Sequence, residues 1–232
     1  MPPETPVLWH LEVSHYNEKV RWALDYKRVP HVRRAVTPAL QELRARRLRA
    51  GRTVPILQVN GRAIGDSAKI IEEIERRWPE PPLYPSDPEE RRRALELEDY
   101  FDEDCGPDLR RVLFNDNLAE PEKFLGMLYG PDHPRFGLLK ALSPVLARVV
   151  KWRYEIQSDR VAHSREVVRA ALHKVEAEAG PSGYLVGDCF GVADVLVGSG
   201  LAWADDVGLI DHDYPKLTRY LNGLRARPAY AY

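Results

Sequence analysis

The apolar positions along the chain fall into two regimes. Over about the first 78 residues, short apolar runs alternate with stretches whose apolar residues recur at helical spacing. Val7-Leu8-Trp9-His10-Leu11 reads as a strand. Ser14 then stands at an N-cap position, and Tyr16, Val20, Ala23, Leu24 and Lys27 follow at helical spacing, which predicts a helix from Ser14 to about Arg28. Pro30 stops it. His31 to Val36 alternates weakly as a second strand. Pro38 opens a helix over Ala39 to Arg49, and Gly51 is expected to close it. Pro55 to Val59 is strand-like, Asn60-Gly61 is a hairpin signal, and Ala63-Ile64 begins the returning strand. Asp66 and Ser67 precede Ile70, Ile71 and Ile74, the apolar stripe of a further helix. The order is β-α-β-α-β-β-α.

The second regime begins after five prolines, at positions 79, 81, 82, 85 and 88, which read as a linker over 79–88. Nearly everything beyond it is helical in pattern. Glu89 to Val112 forms one long stretch with a break expected near Gly106-Pro107. Asn115, Asn117, Gly126, Gly130, Pro131 and Pro134 predict an irregular connection over about 115–135. Phe136 to Val175 predicts one or two long helices interrupted at Ser143-Pro144. Cys189 to Ala204 is apolar throughout and predicts a buried central helix, and Tyr214 to Arg225 is amphipathic. The expected organisation is an α/β domain over 1–78, a linker, and an all-α domain over 89–232.

Composition narrows the function classes. Lys and Arg number 34 against 35 Asp and Glu, so no net positive field draws nucleic acid or an anionic membrane. No apolar run approaches the roughly 18 residues that span a bilayer. Met1-Pro2-Pro3-Glu4 is no signal-peptide start, so a cytoplasmic location is expected. Cys105 and Cys189 form neither a CxxC nor a metal-ligand spacing. The histidines at 10, 15, 31, 133, 163, 173 and 212 form no HxxxH or HExxH, so no metal is expected.

Three constellations carry the chemistry. Ser14 opens the first helix, where unpaired N–H groups and a partial positive charge stabilise an anion and lower a thiol's pKa. Thr53-Val54-Pro55 opens the third strand. A cis Val54–Pro55 bond there would turn the preceding backbone outward to pair with an extended peptide, whereas most X–Pro bonds are trans. Asp66-Ser67 opens the third helix, where a hydroxyl and free N–H groups hold a carboxylate and an acid takes an amino group. Each has a plainer reading, as a helix cap or a strand-initiating proline. Their order along the chain favours one peptide-holding end of a sheet.

These segments carry a resemblance. Ser14-His15-Tyr16-Asn17-Glu18-Lys19-Val20-Arg21-Trp22-Ala23-Leu24, Thr53-Val54-Pro55-Ile56-Leu57 and Asp66-Ser67-Ala68-Lys69-Ile70 resemble successive motifs of bacterial cytosolic glutathione transferases. Tyr184-Leu185-Val186-Gly187-Asp188, Phe190-Gly191-Val192-Ala193-Asp194, and Tyr214 through Pro228 are similar to that family's helical half. The resemblance implies a thioredoxin-like domain followed by an all-α domain. It implies that Ser14 donates to the glutathione sulfur, that Val54 bonds the cysteinyl backbone with Pro55 cis, that Asp66 and Ser67 hold the γ-glutamyl end, and that Thr53 belongs to the same glutathione-binding set. It further implies an electrophile pocket in the helical domain and a homodimer, with glutathione as co-substrate.

The chain departs from the family's pattern at several places. Trp9 stands where several classes place a catalytic tyrosine. Ser14 and Asn17 replace the cysteines of redox-active relatives, and Gly191 replaces a capping Ser or Thr. The stretch 113–165 is longer than usual. Other readings therefore stay open: a glutathione-binding scaffold with little catalysis, or a glutathione-dependent isomerase or dehalogenase. His15 is expected as an exposed turn histidine, and Arg44 to Arg49 as a solvated helix face. The acidic stretch Glu96, Glu98, Asp99, Asp102, Glu103 and Asp104 is expected to face water or a partner's basic helix. Trp152, Tyr154 and Trp203 are expected in the core or the pocket wall.

Overall fold

The computed structural model describes residues 4–11, 14–38, 40–129, 136–206, 208–210 and 213–228. Strands β1 (Val7–His10), β2 (Val32–Ala35), β3 (Ile56–Val59) and β4 (Arg62–Gly65) form one sheet in the order β2-β1-β3-β4. β1 pairs parallel with β2, which requires the crossover that α1 (His15–Tyr26) supplies. β3 runs antiparallel to both β1 and β4. Asn60 and Gly61 turn the β3–β4 hairpin with φ of 48° and 72°, the left-handed pair that a two-residue hairpin demands.

Strand alternation sends neighbouring residues to opposite faces. Leu8 and Leu57 face α1 and α3 (Ser67–Arg77) and join Val20, Leu24, Ile70 and Ile74 in the main core. Trp9 and Ile56 face α2 (Gln41–Leu48) and pack with Val36, Ala45 and Val54 in a smaller cluster. Trp9 is held there: its indole N–H donates to Gln58 Oε1 at 3.3 Å, and the Arg44 guanidinium stacks 4.2 Å from its ring centroid. The α2 helix closes on Arg49, left-handed at φ 55°, two residues before the expected stop at Gly51.

The second half is helical. α4 (Pro88–Asp99) runs into a π-helical segment, Tyr100–Cys105, and then without a break into α5 (Gly106–Leu118). α6 (Pro121–Tyr129), α7 (Phe136–Ala141), α8 (Ser143–Arg153), α9 (Ser158–Glu178), α10 (Val192–Asp206) and α11 (Pro215–Arg225) complete it.

The expected irregular connection over 115–135 is corrected over its described part. α5 stays helical to Leu118, with buried Asn117 donating to the Leu113 carbonyl at 2.9 Å, and Phe124 and Leu125 anchor α6 in the core. Residues 130–135, His133 and His212 lie outside the described residues, as does the side chain of Trp203. The stretch 136–175 divides into three helices, with Pro144 in the first turn of α8 and Glu155, at φ 53°, between α8 and α9.

α10 is the buried centre of this half. Asp194 accepts from the Leu185 N–H at 3.1 Å, the Gly191 N–H at 2.9 Å and the Tyr220 hydroxyl at 2.9 Å. Burial raises its pKa to about 6 against those hydrogen bonds. The acidic stretch is corrected in part. Glu98 and Asp102 are buried, and both contact the Lys19 ammonium of α1, at 2.8 and 2.5 Å. Trp152 is neither core nor wall, being 79% exposed on α8.

Candidate functional site

A cavity of about 600 Å³ opens where the sheet's end meets the helical half. Ser14, Thr53, Val54, Pro55, Asp66 and Ser67, named from the sequence on three separate elements, all line it. The antiparallel turn from β3 to β4 brings the last two beside the Val54–Pro55 bond, which is cis.

Ser14 is the N-cap of α1, but its hydroxyl makes no capping bond. Its carbonyl takes the Asn17 and Glu18 N–H groups, at 2.8 and 3.0 Å. Asn17 turns its side chain back and accepts from the Leu11 N–H at 3.2 Å, which pins the loop that carries Ser14. The helix start is thus organised by main chain and Asn17, and Ser14 lines the cavity with its hydroxyl not engaged in capping. Asp66 does cap its helix, accepting from the Ala68 and Lys69 N–H groups at 3.1 and 3.4 Å. It does so through one oxygen, Oδ1, at a left-handed φ of 74°.

His15 is not an exposed turn residue. It is 2% exposed, and burial, then the charges of Arg110 and Lys19, pull its pKa down to about 3. It is a neutral ring at physiological pH and a poor proton acceptor. Tyr16 also lines the cavity, and its hydroxyl donates to the Asp102 carbonyl at 2.9 Å. Burial raises it to about 12, with Arg110 opposing, so it stays protonated.

The π-helical segment sets this geometry. Its wider turn carries Asp102 to Lys19 while Glu103 reaches the cavity rim.

Sequence reasoning missed several polar residues of the cavity, among them Gln41, Arg110 and Arg153. Gln41, in the first turn of α2, presents a buried Oε1 with no hydrogen-bond partner among the described residues. Arg110, on α5, presents a buried Nε in the same condition. Neither sits in a local motif, so only the packing of the two halves reveals them. The wall opposite the sheet is apolar and aromatic, with Phe114, Phe124, Leu128, Val150 and Tyr154. Among the described residues, no group of His, Cys, Asp or Glu is arranged to hold a metal ion, and no helix is long and apolar enough to cross a membrane.

The chain is thus a thioredoxin-like sheet domain joined to a helical domain, with a polar-to-apolar cleft between them. The family description "Glutathione S-transferase, N-terminal domain" matches residues 8–82, and "Glutathione S-transferase, C-terminal domain" matches residues 158–223. The chain belongs to the glutathione S-transferase family.

Solved structures share the fold at low identity. A glutathione S-transferase from Rhodospirillum rubrum F11 superposes with a TM-score of 0.74 at 20% identity, over 97% of this chain and 90% of that one. The theta class enzyme from Xanthomonas axonopodis pv. citri, with glutathione bound, gives 0.72 at 20%, over 97% and 95%. The beta-etherase LigF from Sphingobium sp. strain SYK-6 gives 0.73 at 18%, over 97% of each chain. No curated protein matches the sequence.

Proposed function

We propose that the protein is a glutathione transferase that conjugates the glutathione sulfur to a small, largely apolar electrophile. The observation that carries this reading is made at Ser14, which lines the cavity at the start of α1 and whose hydroxyl is not used as a cap. A hydroxyl donor and a helix N-terminus both favour a thiolate over a thiol. In this reading Thr53 and Val54 hold the cysteinyl backbone beside Pro55. Asp66 and Ser67 hold the γ-glutamyl end, with the second Asp66 oxygen facing its amino group. Gln41 supplies a further polar contact. The thiol proton leaves to solvent, the sulfur forms the bond to an electrophilic carbon, and the leaving group departs with the electron pair. The helical wall holds the electrophile, and the chain works in the cytoplasm as a homodimer, a state that light scattering reads directly.

The test pairs a calorimetric glutathione titration with conjugation assays on several electrophiles. Binding together with product formation supports the reading. Binding without turnover favours a scaffold, and regenerated glutathione favours an isomerase or dehalogenase. Ser14→Ala is expected to lower kcat about tenfold to a hundredfold, the worth of one hydrogen bond to a charged group, with a much smaller effect on glutathione affinity. Equal loss of both contradicts the role given to Ser14.

A further inference from the structure

Two arginines stand in the helical half of the cavity with their charges uncommitted. Arg110 of α5 and Arg153 at the end of α8 both line it. Both guanidiniums lie over the same ring, with Cζ atoms 5.0 and 5.4 Å from the Tyr154 centroid. Neither makes an ion pair among the described residues. The neighbouring arginine shows the contrast: Arg111 donates to Ser164 at 2.7 Å, to the Tyr154 carbonyl at 3.2 Å, and to Asp108. Arg110, one residue away on the same helix, lines the cavity instead and has a buried Nε without an acceptor among the described residues.

An unsatisfied guanidinium donor in a partly dry site is costly unless something accepts from it. The acids nearby do not fill that role. Asp102 pairs with Lys19 through Oδ2, and neither its Oδ1 nor Glu103, exposed at the rim, makes a hydrogen bond to either arginine among the described residues. The charge of Arg110 also reaches the start of α1, since it lowers the pKa of both His15 and Tyr16. An anion held by Arg110 would therefore lie close to the place where a bound thiol reacts. Around it the wall is aromatic and aliphatic, through Phe114, Phe124 and Tyr154.

From this we infer that the second substrate is an aromatic or otherwise apolar molecule bearing a carboxylate. Arg110 grips the carboxylate, and Arg153 reinforces the field from the rim. Guanidinium and carboxylate match as planar, two-pronged partners, which a lysine cannot reproduce. The inference rests on the transferase reading only in assigning this half of the cavity to the second substrate.

The test is binding, so it does not depend on turnover. Nitrobenzoate and its neutral counterpart nitrobenzamide are titrated by calorimetry into the full protein with glutathione present. Nitrobenzoate is expected to bind about tenfold tighter or more, and salt should weaken it selectively. Arg110→Gln is expected to abolish the preference, and Arg110→Lys to keep part of it. Equal affinities in the unmodified protein, or a preference that survives Arg110→Gln, overturns the inference. If Arg110→Gln fails to fold, Arg153→Gln and the salt titration decide: a reduced, salt-sensitive preference supports the inference, and a salt-independent one overturns it. A preference for nitrobenzoate with no binding of glutathione would leave this site standing and sink the transferase reading.

Discussion

Lys19 Nζ lies 2.5 Å from Asp102 Oδ2, and the lysine side chain is entirely buried. The contact joins α1 of the sheet domain to the π-helical segment of the helical domain. Glu98 lies 2.8 Å from the same ammonium and also accepts from the Tyr84 hydroxyl at 2.9 Å. Burial works against the lysine's charge, but the two carboxylates outweigh it and raise its pKa. Removing the cation strands both acids in the interior. Lys19→Met is expected to lower stability by about 3–5 kcal/mol, read from urea unfolding. A loss within experimental scatter would mean that water reaches these carboxylates.

Gly106 makes room for Tyr16. A Cβ at 106 would sit 2.4 Å from the Tyr16 hydroxyl and 3.1 Å from the Phe101 carbonyl. Gly106→Ala is expected to destabilise by about 1–3 kcal/mol, as overpacking does. Adding Tyr16→Phe removes the nearer atom, so the double variant should be more stable than the sum of the two single changes predicts. Strict additivity in a double-mutant cycle would contradict this contact.

Gly191 replaces a residue that would ordinarily cap α10, and the fold supplies the reason. A Cβ there would lie 2.9 Å from the Leu83 carbonyl, which also accepts from the Val192 N–H at 2.8 Å. Asp194 takes over the capping from inside the helix. Restoring the common residue with Gly191→Ser is expected to lower the melting temperature rather than raise it. A cost of about 1–3 kcal/mol is expected for crowding a rigid backbone atom.

His15 gives the fold a sensitivity to acid. Its pKa falls from an ordinary value near 6.5 to about 3 on folding. Between those values the unfolded chain binds more protons, so this residue's contribution is intact above about pH 6.5 and is lost as pH falls toward 3. His15→Gln cannot titrate and is expected to flatten the stability profile across that window. Chemical denaturation at a series of pH values measures it, and an unchanged profile would rule His15 out as its source.

The parts of this arrangement that follow from local chemistry were legible in the sequence. Strand alternation, the Asn60-Gly61 turn, and the Ile70, Ile71 and Ile74 stripe depend only on near neighbours. Ser14, Pro55 and Asp66-Ser67 stand out because caps and strand-initiating prolines mark element ends, and one end of the sheet gathers them. Which role each plays was not legible: Asp66 caps its helix whereas Ser14 does not cap through its side chain, and the difference lies in Asn17 and the chain fold around it. Lys19, Arg110 and Gln41 acquire their surroundings only when the two domains pack. The π-helical turn at 100–105 has no sequence period of its own, so the acids it redirects read as a plain solvated face.

The central claim is that the Ser14 hydroxyl and the start of α1 hold a bound thiol as its thiolate. The most direct measurement is the pH titration of glutathione's thiolate absorbance in the ultraviolet, on the saturated protein and on its Ser14→Ala variant. The account predicts that bound glutathione ionises well below the ordinary thiol value of about 8.5, and that Ser14→Ala moves it back toward that value while glutathione still binds. A bound thiol that titrates as it does in water, or one that Ser14→Ala leaves unmoved, would contradict it.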